Sequence, residues 1–214
     1  MNWKSVLQED FSLSDEQLAR FEALDALYRE WNAQINVISR KDIDALYEHH
    51  VLHSLAIARY LQTVPEMWER FASASVLDLG TGGGFPGIPL AILFPSARFV
   101  LCDSVGKKTI VAQAVSSSLG LENVRVVNAR AESLPESFDF VVSRAVASLP
   151  DFFPWVKGKY SQGILYLKGG DVNEEIALVM ARHKLRRGSV HTWPISAWLH
   201  DPWFEGKLVI HMEK

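Results

Sequence analysis

The run Val76-Leu77-Asp78-Leu79-Gly80-Thr81-Gly82-Gly83-Gly84-Phe85 constrains this chain more than any other stretch of it. Its first residues read as a short buried strand, and its glycines read as a turn into a helix. Glycine lets the backbone turn sharply and lets a ligand approach without a Cβ in the way. In an open α/β sheet, ligands bind at the carboxyl ends of the strands, where the first strand meets the first helix. The spacing is G-x-G-x-G. A dinucleotide fingerprint would need a further glycine at position 85, where Phe85 stands instead.

The rest of the chain fits a sheet around that turn. Ser75–Leu79, Arg98–Cys102, Val124–Val127, Phe138–Ser143 and Ile164–Leu167 are short, β-rich apolar runs. Helical stretches separate them at Ile88–Phe94, Lys107–Leu119 and Leu149–Tyr160. Such alternation implies a parallel sheet with helices on both faces. Ile176–Lys184 reads as another helix, and Ser189–Pro194 with Lys207–Met212 as an antiparallel hairpin that finishes the sheet. Two helical stretches come first. Ser14 with Gln17 makes a capping box ahead of Leu18, Phe21, Leu24, Leu27, Tyr28, Trp31 and Ile35. Ser39 with Asp42 reads as the cap of a second helix, carrying Ile43, Leu46, Tyr47, His50, Val51, Leu55 and Ala58 on one side. Pro65 marks a junction, so residues 1–70 are expected to form a helical cap and 71–214 an α/β core.

Composition narrows the class. Hydrophobic residues make up 48% and charged residues 22% of 214, an ordinary globular balance. A formal charge of -3 provides no global field toward nucleic acid, although a local basic face is compatible with it. Cys102 is the one cysteine, which excludes an internal disulfide and a multi-cysteine zinc site and suits a reducing compartment. No stretch resembles a signal peptide and none offers eighteen consecutive apolar residues. The expectation is a cytoplasmic monomer with no membrane partner.

Asp103 ends the second strand, where a carboxylate accepts hydrogen bonds from ribose hydroxyls in nicotinamide and methyl-donor enzymes alike. Glu132 follows the third strand, a usual place for adenine contacts. The G-x-G-x-G spacing after Asp78 looks like the first motif of class I methyltransferases, whose cofactor has no pyrophosphate and carries a cationic sulfonium that a carboxylate tolerates. A longer pattern is more specific. Asp78 through Leu90, Asp103-Ser104-Val105-Gly106-Lys107-Lys108, Arg130-Ala131-Glu132 and Ser143-Arg144-Ala145-Val146-Ala147 together resemble the bacterial small-subunit rRNA guanine-N7 methyltransferases, the RsmG or GidB family. The likeness runs from Trp31-Asn32 to Lys168-Gly169-Gly170, and more loosely to Leu208-Val209-Ile210.

That resemblance implies a class I (Rossmann-like) methyltransferase sheet with an antiparallel last strand, in a single domain with its N-terminal cap. It also implies S-adenosylmethionine as cofactor and N7 of a guanine in the decoding-region loop of 16S rRNA as target. The partner would be 16S rRNA, the small ribosomal subunit or its assembly intermediates. Positions matching Gly80, Phe85, Ala131, Glu132 and Arg144 line the cofactor site in the family; Gly82, Gly84 and Asp103 join them on physical grounds. Phe85 is expected to pack over the cofactor, and Arg144 to position cofactor or base. Lys107, Lys108, Arg130 and Lys168 are candidate RNA contacts, with Arg182, Lys184, Arg186 and Arg187 as a second basic group and Arg40 and Lys41 on the cap.

The family's second helix usually reads Arg-His-x-Leu-Asp-Ser-Leu. Here the run is His49-His50-Val51-Leu52-His53-Ser54-Leu55, with histidine at the positions of that Arg and Asp. His49 and His53 lie one helical turn apart, a feasible ligand pair, but no acid or cysteine completes a set, and no metal is expected. Two other readings stay open. A methyltransferase acting on a protein or small molecule would use the same cofactor loop. A nicotinamide-dependent oxidoreductase would need the glycine that Phe85 replaces.

Overall fold

A computed structural model describes residues 2–214, leaving Met1 of the expected cap outside the described residues. Within them the alternation builds a seven-stranded sheet: β1 (Ser75–Leu79), β2 (Arg98–Asp103), β3 (Val124–Asn128), β4 (Phe138–Arg144), β5 (Tyr160–Gly169), β6 (Val190–Pro194) and β7 (Lys207–Glu213). The strand order is β3-β2-β1-β4-β5-β7-β6. Strands β1 to β5 pair in parallel, and β7 inserts between β5 and β6, antiparallel to both. The late hairpin therefore closes the sheet with its last strand inside its first.

Side chains alternate between the two faces with the period of a strand. On one face Val76, Phe140, Val142, Leu165, Leu167 and Val209 share a core with the leading helices, α1 (Trp3–Asp10), α2 (Asp15–Gln34), α3 (His53–Gln62) and α4 (Pro65–Phe71). Helices α5 (Gly87–Leu93) and α6 (Gly106–Ser118) add to the same core. On the other face Leu77, Val141, Ile164, Tyr166, Ile210 and Met212 pack with α7 (Leu149–Val156) and α8 (Asn173–His183). Cap and sheet are thus joined by one continuous apolar cluster.

The Ser14–Gln17 capping box is present in both directions at the start of α2. The second helix differs from expectation. Residues Ile43–Ala45 form a 3-10 turn and Leu46–Leu52 a π-helical segment before α3 begins at His53. Asp42 caps no backbone amide, because its carboxylate is occupied by His49 and His50. Helix α1, capped by Asn2, was not evident in the residue pattern. Leu149–Tyr160 divides into α7 and the start of β5, since Gly158 turns the chain at φ +82°.

Candidate active site

The glycine turn is held from below by two acids. Asp78, fully buried, accepts from Thr81 Oγ1 at 2.6 Å and from the Gly87 N–H at 2.8 Å through one oxygen. Its other oxygen has no partner, and burial pushes the carboxyl up to about 7. This acid braces the loop and is not part of the lining of the cavity above it. Asp103 sits at the end of β2 and accepts from the Gly82 N–H at 2.9 Å and from the Val105 N–H at 2.8 Å, one bond to each oxygen. The Gly80 and Thr81 amides donate to the Cys102 carbonyl at 2.8 and 3.1 Å. The turn is therefore stitched to the end of β2 along its length.

Glycine is required here for specific reasons. Gly80, Gly82 and Gly84 all take positive φ, at +71°, +57° and +114°. A Cβ at Gly80 would meet Val146 Cγ1 at 2.2 Å, because β4 leaves the sheet through a left-handed Ala145 (φ +48°) and lays Val146 against the loop.

A cavity of about 350 Å³ opens at the carboxyl ends of β1, β2 and β3. Gly80, Asp103, Arg130, Ala131 and Glu132, all singled out from sequence, line it. Leu79, Ser104, Ala129, Val146 and Trp155 also line it and carried no assignment from sequence. Ser104 and Val146 lie inside the family motifs, but Trp155 arrives from α7, on the sheet face away from the cap, and has no local signal.

Gly82, Gly84, Phe85 and Arg144 stand outside that lining; the Gly82 amide is bonded to Asp103, while Gly84, Phe85 and Arg144 are on the side of the loop facing the cap. Phe85 is 3% exposed and packs against Tyr28 (ring centroids 4.8 Å), His50 (5.4 Å) and the Arg144 guanidinium (5.1 Å). Tyr28 also donates to the Gly83 carbonyl at 2.8 Å. Arg144 ends β4, donates from Nη1 to the His49 carbonyl at 3.4 Å and meets His50 Nδ1 from Nη2 at 3.2 Å. Asp42 completes the group, with His49 Nδ1 at 2.5 Å and His50 Nε2 at 2.6 Å. Burial, with Arg144 beside it, pushes His50 down to about 4, and burial lowers Arg144 to about 10. Burial works to raise Asp42, but hydrogen bonds from His49 and His50 outweigh it and hold the carboxyl low.

The histidines that depart from the family pattern meet Trp203. His49 stacks on its ring at 3.9 Å, buried His53 meets it edge-on at 5.4 Å, and Lys207 Nζ lies 3.6 Å from its centroid. Because β7 runs antiparallel, Lys207 sits opposite Gly169 and so at the same end of the sheet as the glycine turn. Sequence reasoning missed Trp203 and Lys207, since only strand direction brings them there. No group of three or more His, Cys, Asp or Glu fit to hold a metal is found among the described residues.

Of the basic candidates, Lys107 is exposed and Lys108 half-buried in the first turn of α6, and Arg130 is exposed at the cavity rim. Cations in a helix's first turn oppose its dipole, so helix stability does not explain that pair. The Lys168 ammonium is held by Glu175 at 2.7 Å and by the Ala147 carbonyl at 3.2 Å. Arg186 pairs with Glu213, opposite Gly163 near the start of β5, and so lies at the end of the sheet away from the loop. Arg40 and Lys41 are exposed on the turn before Asp42.

The architecture matches solved methyltransferases at low identity, which establishes the fold alone. Magnesium protoporphyrin IX methyltransferase from Synechocystis, solved with bound SAM, aligns with a TM-score of 0.59 at 14% identity, covering 94% of this chain and 98% of that one. A SAM dependent methyltransferase from Aquifex aeolicus gives 0.51 at 19%, covering 75% and 92%. Sequence relatives are much nearer. Ribosomal RNA small subunit methyltransferase G of Flavobacterium psychrophilum is 48% identical over 218 residues, covering 98% of this chain and 97% of the relative. The protein of the same name from Porphyromonas gingivalis is 48% identical over 209 residues, covering 94% and 88%. A family model described as rRNA small subunit methyltransferase G matches residues 17–196. With that match over most of its length and relatives at this identity, the chain belongs to the GidB family of rRNA small subunit methyltransferase G proteins.

Proposed function

We propose that this chain transfers a methyl group from S-adenosylmethionine to N7 of a guanine in the decoding-region loop of 16S rRNA. The observation that carries the reading is the cavity bounded by Gly80, Asp103 and Ala131-Glu132 at the strand ends of a GidB-family chain. Its size falls in the range of small-molecule sites. The residues present fit an adenosine-bearing group. Each Asp103 oxygen accepts one backbone amide and keeps lone-pair capacity for a hydroxyl donor. Gly80 and Val146 close the floor with no side chain projecting from the glycine. When bound, adenosylmethionine supplies an electrophilic methyl group on its sulfonium sulfur.

The protein's part is positioning. Guanine N7 has an in-plane lone pair and no proton, so no side chain has to act as a base. What remains is holding the base in line at near-attack distance. Phe85 and Arg144, beside the turn rather than within the cavity, are assigned to the face that receives the base. Arg130, which lines the cavity, and Lys107 and Lys108, in the first turn of α6, are assigned to phosphates. Lys168, held by Glu175 and the Ala147 carbonyl, is assigned a structural role. The chain is read as a monomer, since its exposed large apolar residues, Val105 and Ile110 near α6 and Leu178 on α8, sit on opposite faces of the sheet.

The deciding measurement is the N7-methylguanine content of 16S rRNA from a strain lacking the gene. Loss of that modification, restored by the chain in trans, is the expected result; an unchanged level defeats the rRNA assignment. Labelled methyl transfer to naked 16S rRNA, to precursor particles and to mature subunits then identifies the form used.

A further inference from the structure

Arg144 is a donor only, so the His50 Nδ1 atom 3.2 Å from its Nη2 must present a lone pair. The proton of the ring is then on Nε2, which donates to Asp42 Oδ2 at 2.6 Å. Three places in the chain thereby form one directed series: the end of β4, the π-helical segment and the turn before it. The series reads guanidinium, neutral imidazole, carboxylate. The charged and titratable groups facing His50 are Arg144 from β4, Asp42 from the preceding turn, His49 from its own segment and His53 from the start of α3. Phe85 lies beside both the ring and the guanidinium, next to the glycine turn.

We propose that Asp42 and His50 are positioning residues for the methyl transfer to rRNA, a reading on which this inference rests. They fix the Arg144 guanidinium against Phe85 and set a compensating negative charge behind it. The reason is electrostatic. Positive charge grows on the base as N7 takes the methyl group, and an uncompensated cation at the same end of the sheet opposes it. A carboxylate bound directly to Arg144 would offset that field but occupy its donor fork. Through a neutral imidazole, Asp42 offsets the field with the use of one guanidinium donor; a second goes to the His49 carbonyl, and the remaining donors stay available for a base or phosphate.

The test uses the full chain, small subunits and S-adenosylmethionine. Asp42→Asn keeps an acceptor for the His50 Nε2–H and removes the charge. His50→Ala breaks the series, and His50→Asn returns a side-chain carbonyl close to the place of Nδ1. Asp42→Asn and His50→Ala are expected to lower kcat roughly tenfold, about 1.4 kcal/mol in the barrier. KM for adenosylmethionine, and S-adenosylhomocysteine affinity by calorimetry, should stay within about twofold of wild type. His50→Asn should recover part of the missing kcat. Imidazole nitrogen NMR should show the Nε2–H tautomer at His50. An Nδ1–H tautomer, full kcat in Asp42→Asn, or deficits that track cofactor affinity would each overturn the proposal. If wild type transfers no methyl to rRNA at all, the underlying reading fails as well, and that result is distinct from active wild type with unaffected variants.

Discussion

A Cβ built at Gly80 meets Val146 at 2.2 Å, whereas at Gly82 it meets nothing within 4 Å, although both backbones sit at positive φ. Two glycines of one motif therefore carry different constraints. Gly80→Ala combines a left-handed backbone with a packing clash and is expected to cost more than the roughly 1–3 kcal/mol of backbone strain alone. Gly82→Ala should show the strain without the clash. Thermal unfolding of the two variants checks this, and equal destabilisation would mean that Val146 moves aside freely. Asp78 supports a second expectation. Its carboxyl is pushed up to about 7 in the fold, so the folded state binds a proton more tightly than the unfolded chain does. Its contribution to stability then falls as pH rises from about 4 to 7 and is flat above that window. Asp78→Asn cannot titrate. It should be less stable than wild type at pH 5, by about 1–3 kcal/mol for an amide left without a partner, with the gap narrowing toward pH 8. A Tm difference that is constant with pH would contradict the assignment.

At the level of elements, the first turn of α6 and the start of α8 separate two kinds of basic residue that look alike in sequence. Lys107, Lys108 and Arg130 face solvent wholly or in part, Arg130 at the cavity itself, while Lys168 is held by Glu175 on α8. Alanine at Lys107, Lys108 or Arg130 should weaken RNA binding and reduce the salt slope by about 0.7–0.9 for each phosphate that is no longer neutralised. Lys168→Ala should instead lower stability by about 1–3 kcal/mol, because Glu175 is left half-buried with only the Leu149 amide as partner. Filter binding across salt concentrations, paired with denaturation, distinguishes the two. A changed salt slope in Lys168→Ala would return that residue to the RNA interface.

Across the whole molecule, one apolar cluster runs from Leu7 in α1 to Val209 in β7, and Tyr28 of α2 reaches the Gly83 carbonyl of the glycine turn. Cap and sheet are accordingly expected to unfold in one transition, with far-UV dichroism and tryptophan fluorescence coinciding. A separate early transition in the fluorescence would show a cap that folds on its own. By itself the sequence determined the strand–helix alternation, the capping box at Ser14, the glycine turn, Asp103 and the family, since these depend on local periodicity, backbone freedom and motif spacing. Only the tertiary structure decided that Asp78 supports the turn from beneath, that Phe85 and Arg144 face the cap, and that Trp155, Trp203 and Lys207 reach the glycine-turn end of the sheet. Asp42, read as a helix cap, became instead the partner of two histidines. The physical reason is common to all of these. Burial, strand direction and side-chain pairing across distant segments have no local periodicity, so they are set only once the faces of the sheet are covered.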